Sequence, residues 1–173
     1  MTNSATVKGS PMRQPGALQV TAQGDREIRM TRSFHAPRQL VFDAFTKPEL
    51  VRQWLLGPEG WTMPVCEIDL RVGGRYRYLW RHANGNEMGM GGVYREIVVP
   101  ERIVSTEKFD QAWYPGEAVG TVVLSEQGGL TTITHTVLYD TRAARDGVLQ
   151  SPMEQGVSAG YNRMEALLAS MQR

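Results

Sequence analysis

Few residues of this chain could move a proton in a protected setting. Glu107 lies between Ser105 and Phe109 in an alternating run, on a face expected to point inward. It reads either as a buried acid or ligand anchor, or as a rim residue paired with an arginine. His135 is the one histidine inside a strand-like run, and its ordinary pKa suits proton transfer; the competing reading is a hydrogen-bonded core residue. Tyr161 brings a hydroxyl that needs a partner if buried. Were the three to converge on one point, they could run acid–base chemistry on an aromatic or polyketide-like substrate. Stronger chemistries lack their residues. The single cysteine, Cys66, sits in an apolar run and reads as a small buried hydrophobe. His35 and His82 stand beside turns, far in sequence from His135, so no metal site is expected. The Gly-x-Ser-x-Gly spacing of Gly156 to Gly160 falls inside the helical segment Pro152 to Gln172 and not at a strand-to-helix turn, so it makes no nucleophile elbow; there is no glycine-rich phosphate loop, and no cofactor is expected.

Tyr161 belongs to the most legible element, a helix expected over Pro152 to Gln172. Ser151, Pro152 and Glu154 read as its capping box. Met153, Val157, Gly160, Tyr161, Met164, Leu167, Leu168 and Met171 fall on one arc about 120° wide, the stripe of a helix lying on a core. Gly156 and Gly160 interrupt this stripe, either for close packing or to leave room for a ligand. Two short helices are expected earlier, one opened by Pro37 and reaching Phe45, the next opened by Thr46-Lys47-Pro48-Glu49 and ended by Gly57-Pro58.

Glu107 and His135 belong to a stretch whose period is 2. Two short strands, Ala17 to Ala22 and Glu27 to Phe34, open the chain. An antiparallel meander follows, with strands at Val65 to Arg71, Arg75 to His82, Met88 to Val99, Arg102 to Phe109, Val119 to Ser125 and Leu130 to Tyr139. Alternation turns Tyr76, Tyr78 and Trp80 inward and their arginine neighbours outward, groups Met88 with Met90, and turns His135 inward with Ile133 and Val137. Trp61 and Trp113 are expected in loops that could close a mouth. One fork stays open. A two-residue turn at Gly73-Gly74 would set Arg71 opposite Tyr76 and Asp69 opposite Tyr78. A three-residue loop would set Leu70 and Ile68 there, and is favoured because an unpaired buried carboxylate costs several kcal/mol.

The 173 residues, 41% hydrophobic and 21% charged with a formal charge of +1, suit one globular domain and no nucleic-acid partner. Residues 1–16 read as a flexible tail and 17–173 as a single domain. No apolar run is long enough to insert in a membrane and the N-terminus lacks signal-peptide character, so a cytoplasmic location is expected.

Phe34-His35-Ala36-Pro37-Arg38, the Trp54 segment, Cys66 to Arg71 followed by Gly73-Gly74 and an aromatic strand, Pro100 to Ile103, and Met153-Glu154-x-Gly156 with Tyr161 carry a resemblance. From about Asp25 onward the chain resembles the START-like helix-grip superfamily (SRPBCC), in the branch homologous to the activator of the heat-shock protein 90 ATPase. The resemblance implies an α+β helix-grip fold: a curved antiparallel sheet wrapped around a long C-terminal helix, with a cavity between them. The expected wall comprises Trp54, Trp61, Tyr76, Tyr78, Trp80, Met88, Met90, Glu107, Phe109, Trp113, His135, Met153, Val157 and Tyr161. Such a wall suits a hydrophobic small molecule, unless the same side chains simply fill a core. Three functions compete: binding a hydrophobic or aromatic small molecule, which leads; a cyclase- or dehydratase-like enzyme, with Glu107 and His135 as catalytic candidates; and a chaperone-interacting protein. A homodimer is left open.

Overall fold

A computed structural model describes residues 16–173. The tail expected over residues 1–16 lies, except for Gly16, outside the described residues. The chain runs β1 (Gln19–Gln23), β2 (Glu27–Phe34), α1 (Arg38–Thr46), α2 (Pro48–Trp54), β3 (Trp61–Ile68), β4 (Arg75–His82), β5 (Glu87–Val98), β6 (Arg102–Phe109), β7 (Ala118–Gln127), β8 (Leu130–Leu138), α3 (Arg142–Gln150) and α4 (Met153–Met171). The eight strands of the described residues form one antiparallel sheet in the order β1-β2-β8-β7-β6-β5-β4-β3. Strands β3 to β8 follow one another by hairpins. The opening hairpin β1–β2 joins the far side of that meander by pairing β2 with β8, so α1 and α2 carry the chain from one end of the sheet to the other.

Period-2 alternation explains which face is covered. Ile28, Met30, Arg32 and Phe34 of β2, Tyr76, Tyr78 and Trp80 of β4, Val122 and Leu124 of β7, and Ile133 and Val137 of β8 are all buried. Against them α4 lays Gly160, Tyr161, Met164 and Leu168, the middle of its predicted stripe. Val157 and Leu167 are partly buried beside them, whereas Met171 runs past the sheet and is exposed. Full burial of such side chains contributes about 1.5–3 kcal/mol each.

Polar fasteners fix the helix on the sheet. Buried Arg32 donates to Asn162 Oδ1 at 2.8 Å and to Glu165 Oε2 at 2.7 Å, and its guanidinium stands 5.0 Å from the Phe34 ring centroid. From α4, Arg163 donates to the Gly57 carbonyl at 2.6 Å, tying the helix to the α2–β3 loop. The Trp54 indole donates to the Ala44 carbonyl and the Trp80 indole to that of Leu55, which sets the two short helices against the core.

Several expectations need correction. Ser151 does not cap α4: it ends α3, and its hydroxyl donates to the Val148 carbonyl, while Pro152 stands at the α4 N-cap without a side-chain bond. Thr46 likewise does not cap α2, since its hydroxyl donates back to the Phe42 carbonyl and Lys47 occupies the N-cap. Strand β3 covers Trp61–Ile68 and not Val65 to Arg71, so Trp61 lies in a strand, its ring centroid 5.0 Å from that of His82. Helix α3 was not expected at all. Its buried Arg145 donates to the Gln23, Gly24 and Glu27 carbonyls and so clamps the β1–β2 turn.

The hairpin fork resolves in a third way. Ile68 pairs with Tyr76 and Cys66 with Tyr78 across a loop of residues 69–74, so the apolar set faces inward, but two residues out of the favoured register. Glu67 lies opposite Arg77, and Asp69 and Arg71 pair with each other at 2.8 Å, both exposed. Leu70, expected opposite Tyr76, is 39% exposed. None of the three charged residues enters the space under α4.

Candidate functional site

The concave face and α4 do not close completely on each other. Between them lies a cavity of about 170 Å³, walled by β2 and β4 to β8, by α1 and α2, and by the first half of α4. Its walls are mainly apolar or aromatic: Met30, Phe45, Val51, Leu55, Tyr94, Ile103 and Val122 line it together with Trp54, Tyr76, Tyr78, Met90, Val157 and Tyr161.

Glycines decide where space remains. A Cβ on Gly92 would run into the Thr106 carbonyl and the Tyr76 ring, so only glycine lets that ring lie across β5, where its hydroxyl donates to Thr106 O at 2.5 Å. At Gly120 a Cβ would stand 2.8 Å from Glu107 Oε1 and 3.3 Å from His135 Nε2. The missing side chain therefore keeps the space over that pair open. The two helix glycines divide the explanations offered for them. A Cβ at Gly160 would lie 3.1 Å from the Trp54 carbonyl, which is close packing; at Gly156 nothing lies nearer than 3.8 Å, which is ordinary contact.

Glu107 and His135 face this cavity from β6 and β8, with Gly120 of β7 between them. His135 Nε2 stands 3.8 Å from Glu107 Oε1, beyond hydrogen-bond length. About a fifth of each side chain stays accessible, 20% and 18%, and since both line the cavity we assign that area to its wall. Burial pushes the Glu107 carboxyl up to about 7 and the His135 imidazole down to about 4. At neutral pH the imidazole is therefore uncharged, so the contact is a buried acid beside a neutral base and not an ion pair. Tyr161 is 2% exposed. Burial raises its hydroxyl pKa, with Arg32 opposing and Glu107 adding to the rise. The hydroxyl stays protonated.

Eight of the fourteen expected wall residues line the cavity: Trp54, Tyr76, Tyr78, Met90, Glu107, His135, Val157 and Tyr161. The other six lie elsewhere. Trp80 is buried in the main core; Met88 pairs with it and is 38% exposed near the strand end. Trp61 packs on His82, outside the cavity wall. Trp113 is 55% exposed and stacks edge-on against Tyr114, 5.2 Å between centroids. Phe109 and Met153 pack on a second core cluster around Tyr114, Tyr139 and Val148. Among the residues not foreseen, Ser105 shares the face assigned to Glu107. Tyr94 shares the parity of Met88 and Met90, so alternation alone could have found it.

The backbone belongs to a widely shared architecture. A structure from Rhodobacter sphaeroides superposes with a TM-score of 0.84 at 28% identity, covering 88% of this chain and 98% of that one. Protein CV1439 from Chromobacterium violaceum gives 0.67 at 29% identity, over 83% and 96% of the two chains. PFC0360w from Plasmodium falciparum, described as an HSP90 activator, gives 0.61 at 22% identity over 83% and 96%. Comparison with functionally curated proteins yields no match. The model of the family described as activator of Hsp90 ATPase homolog 1-like protein matches residues 35–169, from the end of β2 almost to the end of α4, and the chain belongs to that family.

Proposed function

We propose that this chain binds a hydrophobic or aromatic small molecule in the cavity between the sheet and α4, in the cytoplasm and without a cofactor. The observation that carries this reading is the largely apolar space under α4, walled by aromatic and aliphatic side chains with a small polar group at one wall. Dispersion and stacking on Trp54, Tyr76, Tyr78 and Tyr161 would hold the molecule, and Glu107, His135 and Tyr161 would orient it. Among the described residues no helix is long and apolar enough to cross a membrane.

A second reading, a cyclase- or dehydratase-like enzyme, is favoured by one observation: Glu107 and His135 meet 3.8 Å apart in a setting that keeps one an acid and the other a base near neutrality. The family's description does not by itself assign a chaperone partner, since the relative described as an activator is 22% identical and shares the fold alone.

Uptake of an environment-sensitive hydrophobic dye tests the binding reading. The parent chain should take up dye saturably. Val157→Trp, which fills space, and Tyr78→Asp, which charges the wall, should abolish uptake, and His135→Gln should leave it largely intact. No uptake by the parent chain, together with turnover of a polyketide-like substrate that disappears with Glu107→Gln or His135→Gln, would instead establish the enzyme.

A further inference from the structure

We propose that the ligand carries a neutral hydroxyl on a compact, ring-sized apolar body, and that Glu107 and His135 together recognise that hydroxyl. The proposal rests on the cavity being a small-molecule site. Its carrying observation is a gap of defined length: Oε1 of Glu107 and Nε2 of His135 are 3.8 Å apart, too far to bond each other yet close enough for one oxygen to reach both. Gly120 keeps that place open, because a Cβ there would stand within 2.8 Å of the carboxyl oxygen and 3.3 Å of the ring nitrogen.

The chemistry of the pair selects the group. A hydroxyl both donates and accepts, so it can take the proton of a neutral carboxyl or give its own to a carboxylate, and it can bond either tautomer of a neutral imidazole. A ketone or ether oxygen only accepts, so it meets the pair only where both groups present a proton, whereas a hydroxyl fits whichever of the two holds one. A charged group of either sign would lose its hydration in a mainly apolar cavity. Among the described residues an anion would also find no cation on the wall: Arg32 does not line the cavity, and its two terminal nitrogens are engaged by Asn162 and Glu165. Tyr76 does not compete for the ligand's oxygen, since its hydroxyl is committed to the Thr106 carbonyl. The volume, about 170 Å³, sets the size of the body, as apolar cavities of about 150 Å³ take up benzene.

Isothermal titration of the full chain with p-xylene, p-cresol and p-toluate compares three molecules of similar outline that differ in one group. The p-cresol should bind at least about 10-fold more tightly than p-xylene, the value of one or two well-made hydrogen bonds, and p-toluate should not bind. Glu107→Leu and His135→Leu should each keep p-xylene binding and erase most of the preference. Should a leucine variant fail to fold, the His135 ring nitrogen resonances of the parent chain decide: they should shift with p-cresol and not with p-xylene. Equal affinity for p-cresol and p-xylene, a preference that survives both substitutions, or unmoved ring resonances overturns the proposal while the cavity reading stands. Binding of none of the three overturns both.

Discussion

Met164→Asp is expected to leave the chain largely unfolded at room temperature. Met164 is 0% exposed at the centre of the α4 stripe, in the same cluster as Phe34, Trp54, Tyr161 and Leu168. Aspartate there would remove the buried thioether side chain and place a carboxylate among apolar neighbours. It must either ionise unpaired or hold its proton far from its ordinary pKa, at a cost of several kcal/mol. Against a total stability of about 5–15 kcal/mol that is a large fraction, and the lost packing adds about 2–5 kcal/mol. Met164→Leu, which keeps the volume, should cost less than about 1.5 kcal/mol. Circular dichroism melts of the two variants separate the outcomes. A Met164→Asp melt like the parent's would mean that the stripe faces solvent.

The second large effect is hidden in the parent chain because two opposite pH dependences overlap. Burial raises the Glu107 pKa, so the folded protein holds that proton up to about pH 7 while the unfolded chain releases it near 4.5. Between those values the folded state binds more protons, and stability falls as pH rises. Burial lowers the His135 pKa, so the unfolded chain takes up a proton near 6.5 while the folded state refuses it down to about 4. Between those values the unfolded state binds more protons, and stability falls as pH drops. From about 4.5 to 6.5 the two slopes cancel. Tyr76, Tyr114, Tyr139 and Tyr161 around Glu107 have raised pKa values, so they stay neutral throughout this window.

Removing one partner should uncover the other. Relative to the parent chain, Glu107→Gln should lose about 2–3 kcal/mol between pH 6.5 and 4.5, and His135→Gln should lose about as much from 4.5 to 6.5. Urea midpoints at the two pH values measure this directly. Parallel behaviour of both variants and the parent would mean that neither group is buried in the folded state.

What could be read from the sequence follows from how local its causes are. The α4 stripe and the inward Tyr76, Tyr78 and Trp80 are consequences of period, so they were visible without the structure. Helix α3 was not, because Arg142–Gln150 fully buries only Ala144 and Val148 as apolar side chains, with Leu149 partly buried beside them, and buries an arginine between the two. Caps at Ser151 and Thr46 failed because hydroxyls near a helix end can donate back to the preceding turn, and here both do. The β3–β4 register depends on a loop of residues 69–74, whose length no alternation reveals, yet the cost of burying charge still selected the right face. Pairing of β2 with β8 joins elements about a hundred residues apart, and no local pattern reveals it. The cavity wall was half legible for the same reason. Alternation assigns faces, but it cannot tell a residue over the opening, such as Tyr78, from one packed beside it, such as Trp80.

Native mass spectrometry of the protein purified from its own source tests the central claim most directly, because it weighs the folded chain with whatever occupies the space under α4. The account predicts a folded species heavier than the 19.3 kDa chain by one small molecule, lost on denaturation and absent from a Val157→Trp chain purified in the same way. A folded parent chain that always weighs the polypeptide alone, and that acquires no mass when incubated with p-cresol or p-xylene, would contradict it.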